Sequence, residues 1–208
     1  MQISITTIII ILTVIASYYA WSKPVIMHKW LFNPYFIHQH KAYYRFITSG
    51  FIHKDGWHLF FNMIALYFFG EKVEYIFSMF FGDLGGLLFI ALYILGIIIS
   101  DIPSYIKHRN AEYFNSLGAS GGVAAVVFSS ILFDPLSAIC LYFAICVPGF
   151  ILGAFFLIYS WYRGKQSADN INHDAHLYGA LFGVIFTIIL KPQVLPLFFE
   201  KLATFSLF

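Results

Sequence analysis

The sequence predicts an all-α fold: a polytopic membrane bundle of six transmembrane helices, in one domain over residues 1–208. Three observations predict it. Of the 208 residues, 60% are apolar and only 11% are Asp, Glu, Lys or Arg, against roughly 45–50% and 25% in a soluble domain. The charged residues are clustered, leaving uncharged windows at 1–22, 56–70, 84–100, 113–133, 135–162 and 175–190. Several of these reach or approach the ~20 residues that carry a helix across ~30 Å of hydrocarbon. Six such spans use up most of the chain and leave no separate soluble domain.

The first helix is expected over about Ile5–Trp21. It has no basic n-region and no small-x-small cleavage site, so it reads as a span and not as a signal peptide. Residues 22–56 follow, a long polar stretch with Lys23, Lys29, Lys41, Arg45 and Lys54 among many aromatics. Trp and Tyr favour the headgroup zone, so this loop is expected to be structured and partly embedded. Helix two is expected from Trp57 to Glu74–Ser78 and helix three over Leu84–Ser100, followed by a polar loop over 101–117. Helix four is expected over Gly118–Leu132, helix five over Leu136–Tyr162 and helix six over Ala175–Leu190. The tail from Lys191 is too broken by Pro192, Pro196, Glu200 and Lys201 to be another span. Cys140 and Cys146 fall within helix five; six residues on a helix turn through about 600°, so they are expected to pack on different faces and not to form a disulfide.

A formal charge of +2 and the lack of any basic stripe exclude a nucleic-acid partner. No H-E-x-x-H is present, and no metal or cofactor is expected. Gly118-x-Ser120-x-Gly122 fits the nucleophile elbow of α/β-hydrolases in letters only, because no strand precedes it. Phe81-Gly82-Asp83 lacks the first glycine of an aspartyl intramembrane protease motif.

Polar groups inside apolar spans are costly and therefore point to function. Helix two opens with His58 and Asn62, four apart on one face; helix four with Gly118-Ala119-Ser120-Gly121; helix six with His176, followed by Gly179 and Gly183. If the spans alternate, all three helices enter from the side of the long loops, and these polar groups share one depth. A serine beside a histidine has the parts of an acyl-transfer centre, with Ser120 as nucleophile and His176 as base. The Asn62 amide, a His58 ring N–H and the Ser120 backbone N–H are the available oxyanion donors. Asp174 lies about 200° around the helix from His176, so the reading is a dyad. Read singly, each feature has a plainer explanation: Gly118 to Gly121 and Gly179-x-x-x-Gly183 as close helix contacts, His58 and Asn62 as hydrogen-bonding cross-links. Convergence at one depth favours a site.

The combination resembles the rhomboid intramembrane serine proteases, from about Arg45 to Gly183. His58-x-x-x-Asn62, Gly118-Ala119-Ser120-Gly121 and Ala175-His176-x-x-Gly179-x-x-x-Gly183 carry the resemblance, with Tyr44-Arg45, His53 and Gly70-x-x-x-Glu74 as further matches. It implies Ser120 and His176 as the catalytic pair, His58 and Asn62 as oxyanion stabilisers, and a wet cavity open to the extracytoplasmic side of the cell inner membrane, capped by loop 163–174. The implied partners are the lipid bilayer and substrates that are single-span membrane proteins, unwound and cut near the membrane surface. The chain departs from the family pattern at Ala124, where an aromatic usually stacks on the base, and at His173, where Asn is frequent. Arg45 and Glu74 are expected to be structural, tying down first-loop carbonyls and bonding neighbouring helices. Two other functions fit parts of the pattern: a catalytically silent relative that binds transmembrane helices, and a small proton-coupled transporter using His58 and His176. Nine Lys and Arg fall on the side of the long loops and three on the other; by itself that count places the long loops in the cytoplasm, opposite to the orientation the resemblance implies.

Overall fold

The computed structural model describes residues 3–141, 145–166 and 171–205. Helix α1 (Ile5–Ser22) starts where the Ser4 hydroxyl accepts from the Thr7 N–H. Its first turn is also held from below: the Glu74 carboxylate accepts from the backbone N–H groups of Ile5 and Thr6, both at 2.8 Å, and from the Thr6 hydroxyl at 2.7 Å. The Ser4 hydroxyl donates to Glu71. Two acids at a helix N-terminus satisfy orphan donors and oppose the positive end of the dipole.

The long first loop is folded. It contains three short helices, α2 (Pro24–Trp30), α3 (Pro34–His40) and α4 (Arg45–Thr48). Arg45 is buried and its Nη1 donates to the carbonyls of His28 at 3.0 Å and Leu31 at 2.9 Å, while its guanidinium lies 4.2 Å from the centre of the Phe36 ring. One planar cation thus closes a loop of about seventeen residues on carbonyls that would otherwise be unsatisfied.

Helix α5 (Gly56–Ala65) passes through a π-helical segment, Leu66–Gly70, into α6 (Glu71–Phe81). At Gly70 the run approaches α1 so closely that a Cβ would stand 2.8 Å from the Thr6 side chain. After a turn at Gly82, α7 (Gly85–His108) returns. It is a full two turns longer than its expected end at Ser100, because Asp101 and Ser104 are buried among neighbouring elements instead of solvated in a loop. Pro103 is accommodated inside it. Helix α8 (Ser120–Phe133) is the most enclosed element and packs between α7 and α10 (His173–Leu190).

The expected fifth helix is corrected at its start. Residues Ala138–Leu141 (β1) and Ile145–Pro148 (β2) form an antiparallel hairpin, and helix α9 runs only over Gly149–Gln166. Pro148 ends β2, and its missing N–H and fixed φ disfavour continuing a helix through it, so α9 begins directly behind it. In the hairpin Cys140 lies directly opposite Cys146 and the two form a disulfide, with Cα atoms 3.9 Å apart. The expectation that they face apart assumed helical geometry, and the strand register overturns it. The tail forms a short helix, α11 (Val194–Ala203), docked where Lys201 Nζ donates to the Phe133 carbonyl.

Among the described residues, three helical runs are long and apolar enough to cross a membrane: Ile5–Ser22, Gly56–His108 and His173–Leu190. The core lies between α1, α5 to α8 and α10, around Leu66, Phe77, Phe89, Leu92, Tyr93 and Val126.

Candidate active site

Helix α10 meets α8 through glycine. A Cβ on Gly179 would stand 2.3 Å from the Gly121 carbonyl oxygen, and one on Gly183 only 2.1 Å from that of Ala125. The two backbones are therefore in direct contact, which small residues alone permit. Deeper along the same seam the Thr187 hydroxyl donates to Ser129 Oγ at 2.8 Å. His176 sits one turn before Gly179, and Ser120 immediately before Gly121. Both are partly buried and both line one cavity of about 1030 Å³. That cavity also takes in His58, Asn62 and Ala124, and it extends along α8 to Ile131, about 16 Å at 1.5 Å per residue. Lys54, Trp57 and Tyr113 stand exposed at its rim.

The segment before Ser120 is fixed by the first loop at three successive points. Phe32 and Ser116 exchange both backbone hydrogen bonds at 2.9 Å, the Gly118 N–H donates to the Ser49 carbonyl at 2.9 Å, and the Ala119 N–H donates to His53 Nε2 at 3.2 Å. Gly118 has φ +123°, and a Cβ there would lie 2.5 Å from the His58 ring, so both backbone and ring require glycine. His53 is fully buried. Since its Nε2 accepts, its Nδ1 carries the hydrogen and donates to Ser17 Oγ at 3.0 Å, and Ser17 in turn donates to the Phe51 carbonyl. Burial first, and the neighbouring His58 second, push the His53 pKa down to about 3, so the ring stays neutral.

His58 lies with its ring centre 5.0 Å from that of His53, edge to face. Asn62 is buried, and its Nδ2 donates one hydrogen to the His58 carbonyl at 2.9 Å, leaving a second N–H on the same nitrogen. Asp55 caps α5, accepting from the His58 N–H at 2.8 Å, and that bond chiefly holds its carboxyl below the usual range. Phe156 of α9 also lines the cavity and lies nearly parallel to the His176 ring, centres 5.9 Å apart and planes inclined by 27°. Ala124 is buried against the same cavity. Asp174 pairs with Lys107 at 3.2 Å. Arg45, in the first loop, and Glu74, on α6 against the start of α1, lie outside the cavity lining, while Gly118 abuts the His58 ring and Gly179 and Gly183 are at close backbone contacts.

Two contributors were not singled out from the sequence by their chemistry. His53 looked like one more loop histidine, and only its placement five residues before His58 set it apart. Asp101 fell in a presumed polar loop, yet it is buried on α7 and lines the cavity. The signal for it was present: Ser100, Asp101 and Ser104 recur at helical spacing, one polar stripe continuing an apolar helix. Residues 167–170 of the loop expected to cap the cavity lie outside the described residues.

Residues 40–193 match the Rhomboid domain. The chain belongs to the rhomboid family. It is 32% identical over 154 residues to "RHOMBOID-like protein 12, mitochondrial" of Arabidopsis thaliana, covering 67% of this chain and 44% of that protein. It is 32% identical over 145 residues to "Rhomboid protein 1, mitochondrial" of Saccharomyces cerevisiae, covering 67% of this chain and 40% of the yeast protein. "Rhomboid-like protein 11, chloroplastic" of A. thaliana is 29% identical over 169 residues, 76% of this chain and 56% of its own length. The chain thus spans about half the length of these relatives. Family and helices together make it a polytopic helical membrane protein, and the matched region contains all the cavity residues named above from Ser49 to His176.

Proposed function

We propose that this rhomboid is an intramembrane serine endopeptidase working by a Ser120–His176 dyad. The observation that carries the proposal is the entry of Ser120 and His176 into one cavity from two helices in backbone contact, with His58 and Asn62 lining the same cavity. In the reaction, His176 takes the Ser120 Oγ proton as the oxygen attacks the scissile carbonyl. The oxyanion accepts from the second Asn62 N–H, the His58 ring and the Ser120 backbone N–H. Collapse passes the proton from His176 to the leaving amine and leaves an acyl-enzyme, which water then hydrolyses. A carbonyl inside an intact helix is already hydrogen-bonded, so the substrates are single-span membrane proteins whose helices unwind at the mouth of the cavity.

The expected result is that a fluorophosphonate labels Ser120 of the detergent-solubilised protein and that Ser120→Ala or His176→Ala abolishes cleavage of a single-span test substrate. Asn62→Ala should slow cleavage by about 10²–10³, as loss of an oxyanion donor does elsewhere. Cleavage unchanged in Ser120→Ala refutes the proposal. Binding of the substrate without turnover by the unsubstituted protein supports the catalytically silent reading instead. We place the mouth of the cavity on the extracytoplasmic side of the membrane. An impermeant maleimide should then label Tyr113→Cys, a position 85% exposed at the rim, in intact cells. Labelling only after permeabilisation reverses the orientation.

A further inference from the structure

We infer that Asp101 is a positioning residue for this site, acting on His176 and Ser120 through the side-chain amide of Asn172. The inference rests on the dyad reading and adds to it the device that holds base and nucleophile in register.

Asn172 lies four residues before His176 and caps α10, its Oδ1 accepting from the Ala175 N–H at 3.1 Å. The same oxygen accepts from the Ser104 hydroxyl at 2.9 Å. Its Nδ2 donates to Asp101 Oδ1 at 3.3 Å and to Ser116 Oγ at 3.3 Å. An asparagine amide has two donor hydrogens and two acceptor sites, so all four are used. The amide joins three separate segments: α7 through Asp101 and Ser104, α10 through its own cap, and the turn leading to Ser120 through Ser116. Ser116 is four residues before Ser120 and is anchored to Phe32 on its other side.

The two ends of such an amide are nearly equal in shape, and the partners must decide which end faces where. Ser104 and Ser116 are hydroxyls and can serve either end. The Ala175 N–H only donates, so it takes the Oδ1 end, and the Nδ2 end then turns to Asp101, whose Oδ1 is the acceptor that α7 provides for it. Reversed, the amide would set its NH₂ against that N–H and free the first turn of α10. Asp101 is buried within the cavity wall, and a buried acid is retained only where its hydrogen bonding offsets desolvation. Helix α7 reaches the same region a second way: a Cβ on Gly121 would stand 2.0 Å from Ser100 Oγ, so the helix bearing Asp101 also abuts the residue after Ser120.

The experiment measures the rate of fluorophosphonate labelling of Ser120 in the full chain in detergent. Asp101→Ala and Asn172→Ala should each slow labelling between about 10- and 100-fold, the scale of a misplacement near 1 Å. Because both act through one amide, the double variant should be no slower than Asn172→Ala alone. Asp101→Asn, which still offers an acceptor oxygen, should recover most of the rate, and a merely space-filling role would not distinguish it from Asp101→Leu. The leucine variant also stands in for alanine where alanine does not fold, since it removes the buried acid and keeps the volume. Labelling at the parent rate in Asp101→Ala or Asp101→Leu overturns the inference, as do multiplying losses in the double variant or an asparagine variant as slow as leucine. Failure of the unsubstituted protein to label overturns the dyad and this inference together; normal labelling with an unaffected Asp101 variant overturns this inference alone.

Discussion

Adding one methyl group at Gly179 is the sharpest test of how the two halves of the site are held. The new Cβ would lie 2.3 Å from the Gly121 carbonyl oxygen and 3.0 Å from the Gly121 carbonyl carbon and Cα. All three atoms are backbone, so no rotamer change relieves the clash. A close carbon–oxygen contact settles near 3.3 Å, so α10 must withdraw from α8 by about 1 Å at this level. His176 is less than one turn away and moves with it, whereas Ser120 is held by the first-loop anchors at Ser116, Gly118 and Ala119. A displacement of about 1 Å costs on the order of 10²-fold in rate, and overpacking costs roughly 1–3 kcal/mol in stability. The assay is fluorophosphonate labelling beside thermal unfolding in the same detergent. Gly56→Ala is the control, since a Cβ there meets nothing within 4 Å. Labelling of Gly179→Ala within threefold of the parent (about 0.65 kcal/mol of barrier) would show that α8 and α10 are not in the contact described and would remove the basis for placing His176 near Ser120.

Three further outcomes follow from the same structure. The folded His53 ring binds its proton only near pH 3, the unfolded ring near its ordinary 6.5, so unfolding takes up a proton in between. Its contribution is whole above about pH 6.5 and shrinks as pH falls below that value; thermal unfolding from pH 7 to 4 should show a shallower decline in His53→Gln, and an unchanged slope refutes the assignment. Glu74→Gln removes the charge that accepts three hydrogen bonds at the start of α1 and should lower stability by about 1–2 kcal/mol while leaving the labelling rate of folded molecules as it was. Cys140 and Cys146 should resist alkylation in denaturant until a reductant is added, and Cys140→Ser should cost about 2 kcal/mol for so short a closed loop.

The residues that could be read from the sequence were those whose polarity conflicts with their own surroundings. His58, Asn62, Ser120 and His176 each interrupt an apolar run, and a one-dimensional pattern records such an interruption. The misread elements are those where the pattern was locally consistent with two structures. An apolar run from Leu136 to Tyr162 fits a helix and a buried hairpin equally well by hydrophobicity; Pro148 was the only mark against continuity, and once the strands form, Cys140 and Cys146 become cross-strand partners. Helix three reads as ending at Ser100 because Asp101 and Pro103 resemble a loop, although a carboxyl group with a partner at the cap of another helix can remain inside one.

That last case bears on how the site is assembled. Among the described residues, neither α8 nor α10 carries by itself both a proposed reactive group and all the contacts that orient it. Ser120 is aimed by Phe32, Ser49 and His53 of the first loop, and His176 by the glycine seam with α8, by Phe156 of α9 and by the cap at Asn172. Substitutions seventy residues away in sequence should therefore disturb the chemistry more than many substitutions beside the serine. His53→Ala illustrates the point: it strips the Ala119 N–H of its acceptor in a buried place, which costs about 1–3 kcal/mol, and it frees the residue directly before Ser120. Slower Ser120 labelling with His58 and Asn62 untouched is the expected result, and an unaltered rate would mean that the first loop stabilises the fold without orienting Ser120.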